Sequence, residues 1–538
     1  MPLTILDAWR ARVLRSPDRP ALAYFDGVLT AREVDEATDA LAAAFVDRGV
    51  TRGDRVGIYL QNVPHYALTF LALWKVGAVA LILNPMYRNR ELRHLLDDAE
   101  PVALVCDESD LVALETSLQG STIRFFVSTS GLDLQTRNDP RVFDATTRIM
   151  PTPENDLLGL VEAYRGRVMD EFAPQPDDLA LLAYTSGTTG PPKGARISHA
   201  NALATATDFG ERVGMEDGDV VFAVAPLFHI TGAMLDAAVA LVRDCLLVFA
   251  HRFHAGVTLD AFVEHRVTYT IGSITVFNAM SESPGVDRRH FASVKALYSG
   301  GAPIPPATVS AFEAKFGCYI HNAYGMTETT AGVIAVPPGL RAPVDASSGS
   351  LSVGLALPRV QLRTLDPTGL PTEPGVAGEL EVSGPQVVSG YWQNPEASAS
   401  TMPEGRLHTG DVAIIDEQGW VYLVDRLKDQ INVSGYKVWP REVEDALYEH
   451  PMVFEAAVVG RPDAYQGESV VAYVSVRSGS AVTTDELMAF ARDRLAAYKR
   501  PKDIHIIDEL PKTQTGKIRR AALKPVSAQT HSSESGTS

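Results

Sequence analysis

Residues 184–194 read Tyr-Thr-Ser-Gly-Thr-Thr-Gly-Pro-Pro-Lys-Gly and gather four hydroxyls (Thr185, Ser186, Thr188, Thr189), three glycines (Gly187, Gly190, Gly194) and Lys193. The apolar run Leu179-Ala-Leu-Leu-Ala183 comes just before, so the polar run reads as a loop leaving the carboxyl end of a buried strand. Glycines let backbone N–H groups converge on an anion, hydroxyls add donors and the lysine adds charge; that chemistry suits a polyphosphate. The common phosphate loop of kinases and ATPases is excluded. It requires Gly directly before the Lys and Ser or Thr after it, whereas Lys193 stands between Pro192 and Gly194.

Further segments follow in a fixed order. They are Pro226-Leu-Phe-His229-Ile230-Thr-Gly232, Ser299-Gly300-Gly301-Ala302, Asn322-Ala323-Tyr324-Gly325-Met326-Thr327-Glu328 and Gly378-Glu-Leu380. His408-Thr-Gly-Asp411, Asp425-Arg426-Leu-Lys428 with Gly435, and Thr513-Gln-Thr-Gly-Lys517 complete the series. In these segments the chain resembles the adenylate-forming acyl-CoA synthetases, the superfamily of fatty-acyl- and 4-coumarate-CoA ligases, beetle luciferases and peptide-synthetase adenylation domains. The resemblance implies ATP, Mg²⁺ and coenzyme A, and an α/β fold with a large N-terminal body of several subdomains and a small mobile α+β C-terminal domain.

The resemblance also implies roles. Thr185, Ser186, Gly187, Thr188, Thr189, Gly190 and Lys193 would hold the β- and γ-phosphates. Tyr324 would stack on adenine and Asn322 bond its amino edge, with Ala323 and Gly325 beside them. Thr327 would meet the α-phosphate and Glu328 would coordinate Mg²⁺, a hard cation suited to carboxylate oxygens. Gly300, Gly301 and Ala302 would leave a wall against which base and acyl group lie close to backbone. Asp411 and Arg426 would bind the ribose, Lys428 would be the hinge, and Gly435 would line the thiol's route. Lys517 would bridge carboxylate and α-phosphate, cancelling repulsion as two anions meet. The acyl pocket would be His229, Ile230, Met234, Gly301, Ala302, Ala331 and Gly332, mostly small or apolar, which favours an aliphatic, aryl or polycyclic acid. Peptide-synthetase domains place Asp where His229 stands; an imidazole supplies no counter-charge for an ammonium, which argues against an α-amino acid. Asp236, two residues beyond Met234, reads as a solvent-facing or capping residue, with a polar contact at the pocket floor as the alternative.

Composition sets the frame. A chain of 538 residues is too long for one core. Three widely spaced cysteines imply no disulfide framework. Net charge −18 argues against nucleic acid. From Lys428 onward 15 basic and 15 acidic residues cancel, so the preceding residues carry the whole charge. Between Tyr498 and Lys524 eight basic residues face three acidic ones; Lys499, Arg500 and Lys502 are a candidate landing site for the phosphates of coenzyme A. The apolar stretch 67–83 carries Lys75 at its middle and reads as a buried helix running into a strand, not a membrane span. With Asp7 and Arg10 interrupting any leader-like start, the expected location is cytoplasmic.

Apolar runs alternating with amphipathic ones from residue 179 mark α/β units. They include strands at 220–224 and 245–249 and helices at 233–243 and 258–267. Residues 412–424 read as a hairpin. A second alternation follows: strands at 456–459, 470–476 and 504–507, and a helix capped by Thr483 and Glu486. The expected division is 1–427 for adenylation, 428–525 for the mobile domain and 526–538 as a disordered Ser-rich tail. His251 and His254 are the close histidine pair; lacking companion ligands, they read as structural.

The expected reaction is activation of a small-molecule carboxylic acid to an acyl-adenylate, with pyrophosphate released, then transfer to coenzyme A. An acyl-AMP ligase that loads a carrier protein's pantetheine shares every adenylation residue and is the alternative; a homodimer is left open. A nucleotide-binding homologue without chemistry is a third reading, against which both Lys517 and Glu328 stand.

Overall fold

The computed structural model describes the chain apart from residues 1, 144, 145, 147, 150, 151, 168–171, 186–190, 303, 347, 427, 428, 435, 464, 478, 480, 514–517 and 524–538. Ser186, Gly187, Thr188, Thr189, Gly190, Lys428, Gly435, Lys517 and the tail 526–538 therefore lie outside the described residues. The chain forms two units, Met1–Leu423 and Val424–Ser538. The sequence-based division had been placed at 427/428.

Among the described residues the larger unit holds sheets of nine, six and four strands. In the six-stranded sheet, Leu179–Tyr184 runs parallel to Val79–Ile82 and antiparallel to Gly194–Ser198. Stretch 67–83 supplies the core of this region: helix Pro64–Val76 is buried along its whole length and ends at Gly77, whose φ of 78° turns the chain into strand Val79–Ile82. Lys75 is accommodated inside because its ammonium donates to Asp35 Oδ1 at 2.7 Å and Asp39 Oδ1 at 2.6 Å. Among the described residues, no helix is long and apolar enough to cross a membrane.

In the nine-stranded sheet, Val220–Phe222, Tyr269–Gly272, Ala296–Gly300 and Ile320–Met326 lie side by side in parallel. Ala331–Ala335 then returns antiparallel to Ile320–Met326. Parallel strands buried on both faces explain the continuous apolar runs of the sequence. The expected helix at 233–243 is instead a π-type turn, Gly232–Ala238, followed by Val239–Val242. Gly232 lets the turn start hard against the chain before it, since a Cβ there would lie 2.3 Å from the Pro226 carbonyl oxygen.

The smaller unit is α+β. A long antiparallel pair, Val453–Asp463 with Gly467–Val476, carries Asp503–Ile506 alongside in parallel. Helices Pro440–Tyr448 and Thr484–Arg494 belong to the same unit, and the second is capped reciprocally by Thr483 and Glu486.

His254 accepts from the Val257 N–H at the start of helix Ala255–Glu264. His251 packs edge-on to Phe143 at 5.3 Å and pairs through its backbone with Asn62. Burial pushes the His251 imidazole down to about 4. The unfolded chain, with an ordinary imidazole near 6.5, then takes up a proton first as pH falls. Stability from this group is complete above pH 6.5 and is lost as pH falls toward 4. Replacing it with Asn, which tolerates the positive φ of 64°, should flatten the dependence of unfolding free energy on pH by up to about 1.4 kcal/mol per pH unit in that window. Parallel denaturant titrations of both proteins from pH 4 to 7 would measure it; identical slopes would refute a neutral buried His251.

Candidate functional site

Tyr184, Gly300 and the segment from Tyr324 to Met326 lie at the carboxyl ends of parallel strands. In the hairpin around the polar loop, Tyr184 faces Gly194 and the Thr185 N–H donates to the Lys193 carbonyl at 2.9 Å. The Thr185 hydroxyl accepts from the Lys193 N–H at 3.1 Å. Thr185 and Lys193 thus close the base of the loop.

Strands Ala296–Gly300 and Ile320–Met326 place Gly300 directly beside Ala323. Gly301 turns away with a φ of 79° and is exposed, and Ala302 is half-buried. After Tyr324 the pairing with Ala331–Ala335 slips. Gly325 makes this possible: a Cβ there would lie 1.7 Å from the Ala331 carbonyl oxygen. The tight turn Thr327–Thr329 follows, with Thr330 and Ala331 at φ of 50° and 85°. Thr329 and Thr330 hydroxyls pin it, donating to the carbonyls of Ala331 at 2.6 Å and Gln386 at 2.8 Å.

This geometry sends the side chains of the segment to distinct partners. The Tyr324 hydroxyl donates to Asp411 Oδ2 at 2.6 Å, joining residues 87 apart in the chain. Asp411 is set by its own strand: its N–H donates to Thr409 Oγ1, and the Gly410 N–H donates to Glu379 Oε1 at 3.2 Å. That contact explains why Gly378-Glu-Leu380 travels with His408–Asp411. Asn322 is buried, and its amide donates to the Ser352 carbonyl at 3.2 Å, which fixes the orientation of the side chain. Thr327 is half-buried at the start of the turn.

Glu328 points inward, 6% exposed, and accepts from the Tyr391 hydroxyl at 2.7 Å. Lys193 Nζ lies 4.9 Å from the centre of the same tyrosine ring. Sequence reasoning missed Tyr391. Its position between Gly390 and Trp392 carries no charge or motif spacing, and its importance emerges only when Lys193 and Glu328, 198 and 63 residues upstream, meet it. Burial and the neighbouring Glu328 carboxylate raise the Tyr391 phenol well above its usual range, so it stays a donor.

His229 and Ile230 precede the π-type turn that carries Met234. The imidazole Nδ1 of half-buried His229 accepts from the Thr231 N–H at 3.3 Å. Ile230, Met234 and Ala331 are buried. At Gly332 a Cβ would meet the Phe209 ring at 3.0 Å and Leu235 at 3.2 Å, so this glycine faces packed core. Asp236 corrects the solvent-facing or capping expectation. It is fully buried, accepts from the N–H groups of Ala225 at 3.2 Å and Ile271 at 3.4 Å, and burial drives its carboxyl far up despite them.

Arg426 belongs to the smaller unit. Within that unit, Pro511 and Lys512 pair with Arg519 and Ile518, closing the segment on either side of Lys517. Arg520 clamps the stem through Glu444 and, at 3.4 Å, Asp425. The residues of the candidate phosphate landing site have partners within their own unit. Lys499 pairs with Glu442, Lys502 with Asp463 at 2.7 Å, and Arg500 donates to the carbonyls of Leu495 and Arg492 at 2.9 and 3.0 Å.

A mixed α/β body that gathers a hydroxyl-rich loop base, a buried carboxylate and a tyrosine–aspartate pair defines an acid-activating, nucleotide-using enzyme. The profile of the AMP-binding enzyme family matches residues 9–392, and that of the AMP-binding enzyme C-terminal domain matches 442–517. The chain belongs to this family. It is 33% identical to a long-chain-fatty-acid–CoA ligase of Escherichia coli O157:H7, covering 97% of this chain and 94% of that one. It is also 33% identical to a feruloyl-CoA synthase of Amycolatopsis sp, covering 96% and 98%. Among solved structures it is similar to ATP-bound MatB from Rhodopseudomonas palustris, with TM-score 0.85, 28% identity and coverage of 97% and 98%. The o-succinylbenzoate CoA synthetase of Bacillus subtilis in complex with its acyl-adenylate intermediate gives 0.80, 26%, and 96% and 98%.

Gly325→Ala should cost about 3 kcal/mol or more, because the new methyl must displace the backbone of the adjacent strand. Gly339→Ala, with φ of 78° but nothing within 4 Å, should cost only about 1 kcal/mol of backbone strain. Chemical denaturation of the two variants tests the contrast; equal losses would rule out the close approach at Gly325.

Proposed function

We propose a division of labour for this chain, an ATP-dependent acid–thiol ligase that forms an acyl-adenylate, releases pyrophosphate and passes the acyl group to coenzyme A. The observation that carries it is the gathering of Tyr324, Asp411, Glu328 and Lys193 within one unit. Residues 185–193 hold the β- and γ-phosphates. The Tyr324 ring stacks on adenine, the Asn322 carbonyl meets its amino edge, and Asp411 with Arg426 takes the ribose hydroxyls. Thr327 donates to the α-phosphate.

Glu328 suits Mg²⁺: a buried carboxylate with one oxygen held by a neutral donor is a hard ligand, and phosphates supply most of the remaining shell for this ion. Among the described residues, no cluster of three or more carboxylates, histidines or cysteines offers a cage made by protein alone. When bound, the ion neutralises phosphate charge and orients pyrophosphate as leaving group. Lys517 neutralises the meeting of carboxylate and α-phosphate. With Lys428 as hinge, the smaller domain then brings the Gly435 face to the thiol's route.

The acid lies against His229, Ile230, Met234, Gly301, Ala302 and Ala331. The apolar character of these residues supports an aliphatic or aryl acid, and relatives of equal identity take fatty acids and ferulate. Because Lys499, Arg500 and Lys502 are engaged inside their own unit, they add nothing to the choice of acceptor; coenzyme A rests on family kinship. A cytoplasmic location completes the reading, with a homodimer left open and a carrier protein as alternative acceptor.

The protein should exchange labelled pyrophosphate into ATP only when its acid is present. Exchange without acid, or release of ADP, would refute adenylation. Equal thioester yield with bare pantetheine would favour the carrier-protein alternative. Lys517→Ala removes one electrostatic contact from the adenylation transition state and should slow that half-reaction by about 10²–10³. Thioester formation from supplied acyl-AMP needs no such bridge and should be spared. Single-turnover assays of each half-reaction decide this; equal slowing of both would sink the assigned role.

A further inference from the structure

We infer that Tyr391 is a positioning residue that holds the Glu328 carboxylate and the Lys193 ammonium apart, each presented to its own part of Mg·ATP. The inference rests on the roles proposed above for those two groups. Tyr391 is 5% exposed and touches both. Its hydroxyl donates to Glu328 Oε1 at 2.7 Å, a hydrogen bond strengthened by the acceptor's charge. Its ring face receives Lys193 Nζ at 4.9 Å, a cation–π seat. Among the described residues Glu328 and Lys193 form no ion pair with each other or with any other charged group. An ammonium and a carboxylate sharing one buried neighbour would otherwise attract strongly, and a direct pair would leave neither for metal or phosphate. Tyrosine satisfies each without cancelling either, because the hydroxyl is neutral and the ring face offers no carboxylate.

The backbone makes the arrangement rigid. Tyr391 bridges Ala195 on the strand leaving the phosphate loop, and the Trp392 N–H donates to the Gly194 carbonyl at 2.6 Å. The Tyr391 N–H donates to Ser398 Oγ at 2.8 Å. On the other side, the Val388 N–H donates to the Glu328 carbonyl at 3.0 Å. The short segment 388–392 thus ties the loop that would hold phosphates to the turn that would hold metal. Thr401 also bonds the Tyr391 hydroxyl, so removing that hydroxyl disturbs two contacts. The test must separate them.

Calorimetric binding of a non-hydrolysable ATP analogue, with Mg²⁺ titrated or replaced by EDTA, reads the two charged groups separately. Tyr391→Phe keeps the ring under Lys193 and loses the bond to Glu328. It should weaken the Mg²⁺-dependent gain in affinity about 5- to 10-fold and leave EDTA binding within 2-fold of wild type. Tyr391→Leu loses the cation–π seat as well and should also weaken binding in EDTA, by about 3-fold. In a Glu328→Gln background, Tyr391→Phe should have no further effect on Mg²⁺ dependence, which excludes an origin in the Thr401 bond. Thermal unfolding of each variant confirms a folded protein, and Tyr391→Phe carries the test if Leu does not fold. Equal weakening by Phe with and without Mg²⁺, or an undiminished Phe effect in the Gln background, overturns the proposal. Wild-type binding that ignores Mg²⁺ altogether would instead overturn the role of Glu328, and this inference with it.

Discussion

The Ala331 carbonyl stands where a side chain at residue 325 would be, and the close approach of these two strands shapes everything around the nucleotide site. Because Gly325 has no Cβ, the returning strand can slip its register after Tyr324. The slip changes which side chains face which way. Tyr324 reaches Asp411, and three residues past Gly325 the turned chain drives Glu328 inward to Tyr391. Thr330 and Ala331 carry positive φ, about 1–2 kcal/mol each for residues with a Cβ. The hydroxyls of Thr329 and Thr330, bonded to carbonyls on either side of the turn, hold that conformation in place. Strain of this kind persists where surrounding contacts over-determine it.

Charge is handled locally in this protein. A chain of net charge −18 must receive a polyanion, so attraction has to come from a few oriented groups and not from the overall field. In the proposed site the larger unit offers Thr185 at the loop base and a lysine seated on an aromatic ring. Buried acids elsewhere show the contrast. Asp244 is neutralised by buried Arg12 at 3.2 Å and by Arg19, and Asp236 is tied to two backbone N–H groups. Glu328 differs from both in accepting through Oε1 from a neutral side-chain hydroxyl, that of Tyr391. In the smaller unit nearly every basic side chain near residues 499–520 has an acidic or carbonyl partner of its own, so a basic run in the sequence did not become an open basic surface.

Features set by neighbours in sequence were legible. The Gly-rich loop at a strand end, the helix-to-strand passage at 67–83, the hairpin after His408 and the capping box at Thr483 each depend on residues a few positions apart. The partners that turn those pieces into a site were not legible, because they lie far away in the chain. Tyr391 meets a carboxylate 63 residues upstream and a loop nearly 200 upstream. The π-type turn is another case: its sequence reads as an ordinary helix, and Asp236 within it bonds to Ala225 and to Ile271, 11 and 35 residues away. Lys499 and Lys502 looked like a ligand surface for the same reason, their acidic partners being 57 and 39 residues away.

That π-type turn carries Met234, proposed above to meet the acid. Tyr324, Glu328 and Asp411 are held by sheet register and tight turns, where a shift of one residue would move every side chain to the wrong face. Met234 sits on a widened helical turn whose seven residues are all buried. Asp236 bonds this turn to the parallel strand Tyr269–Gly272. Gly332 packs against Leu235 of the same turn and against the Phe209 ring, so any added atom at this position meets packed core. On the proposed reading the acid meets the few residues between the His229 loop and this core, while the nucleotide meets side chains held by sheet register.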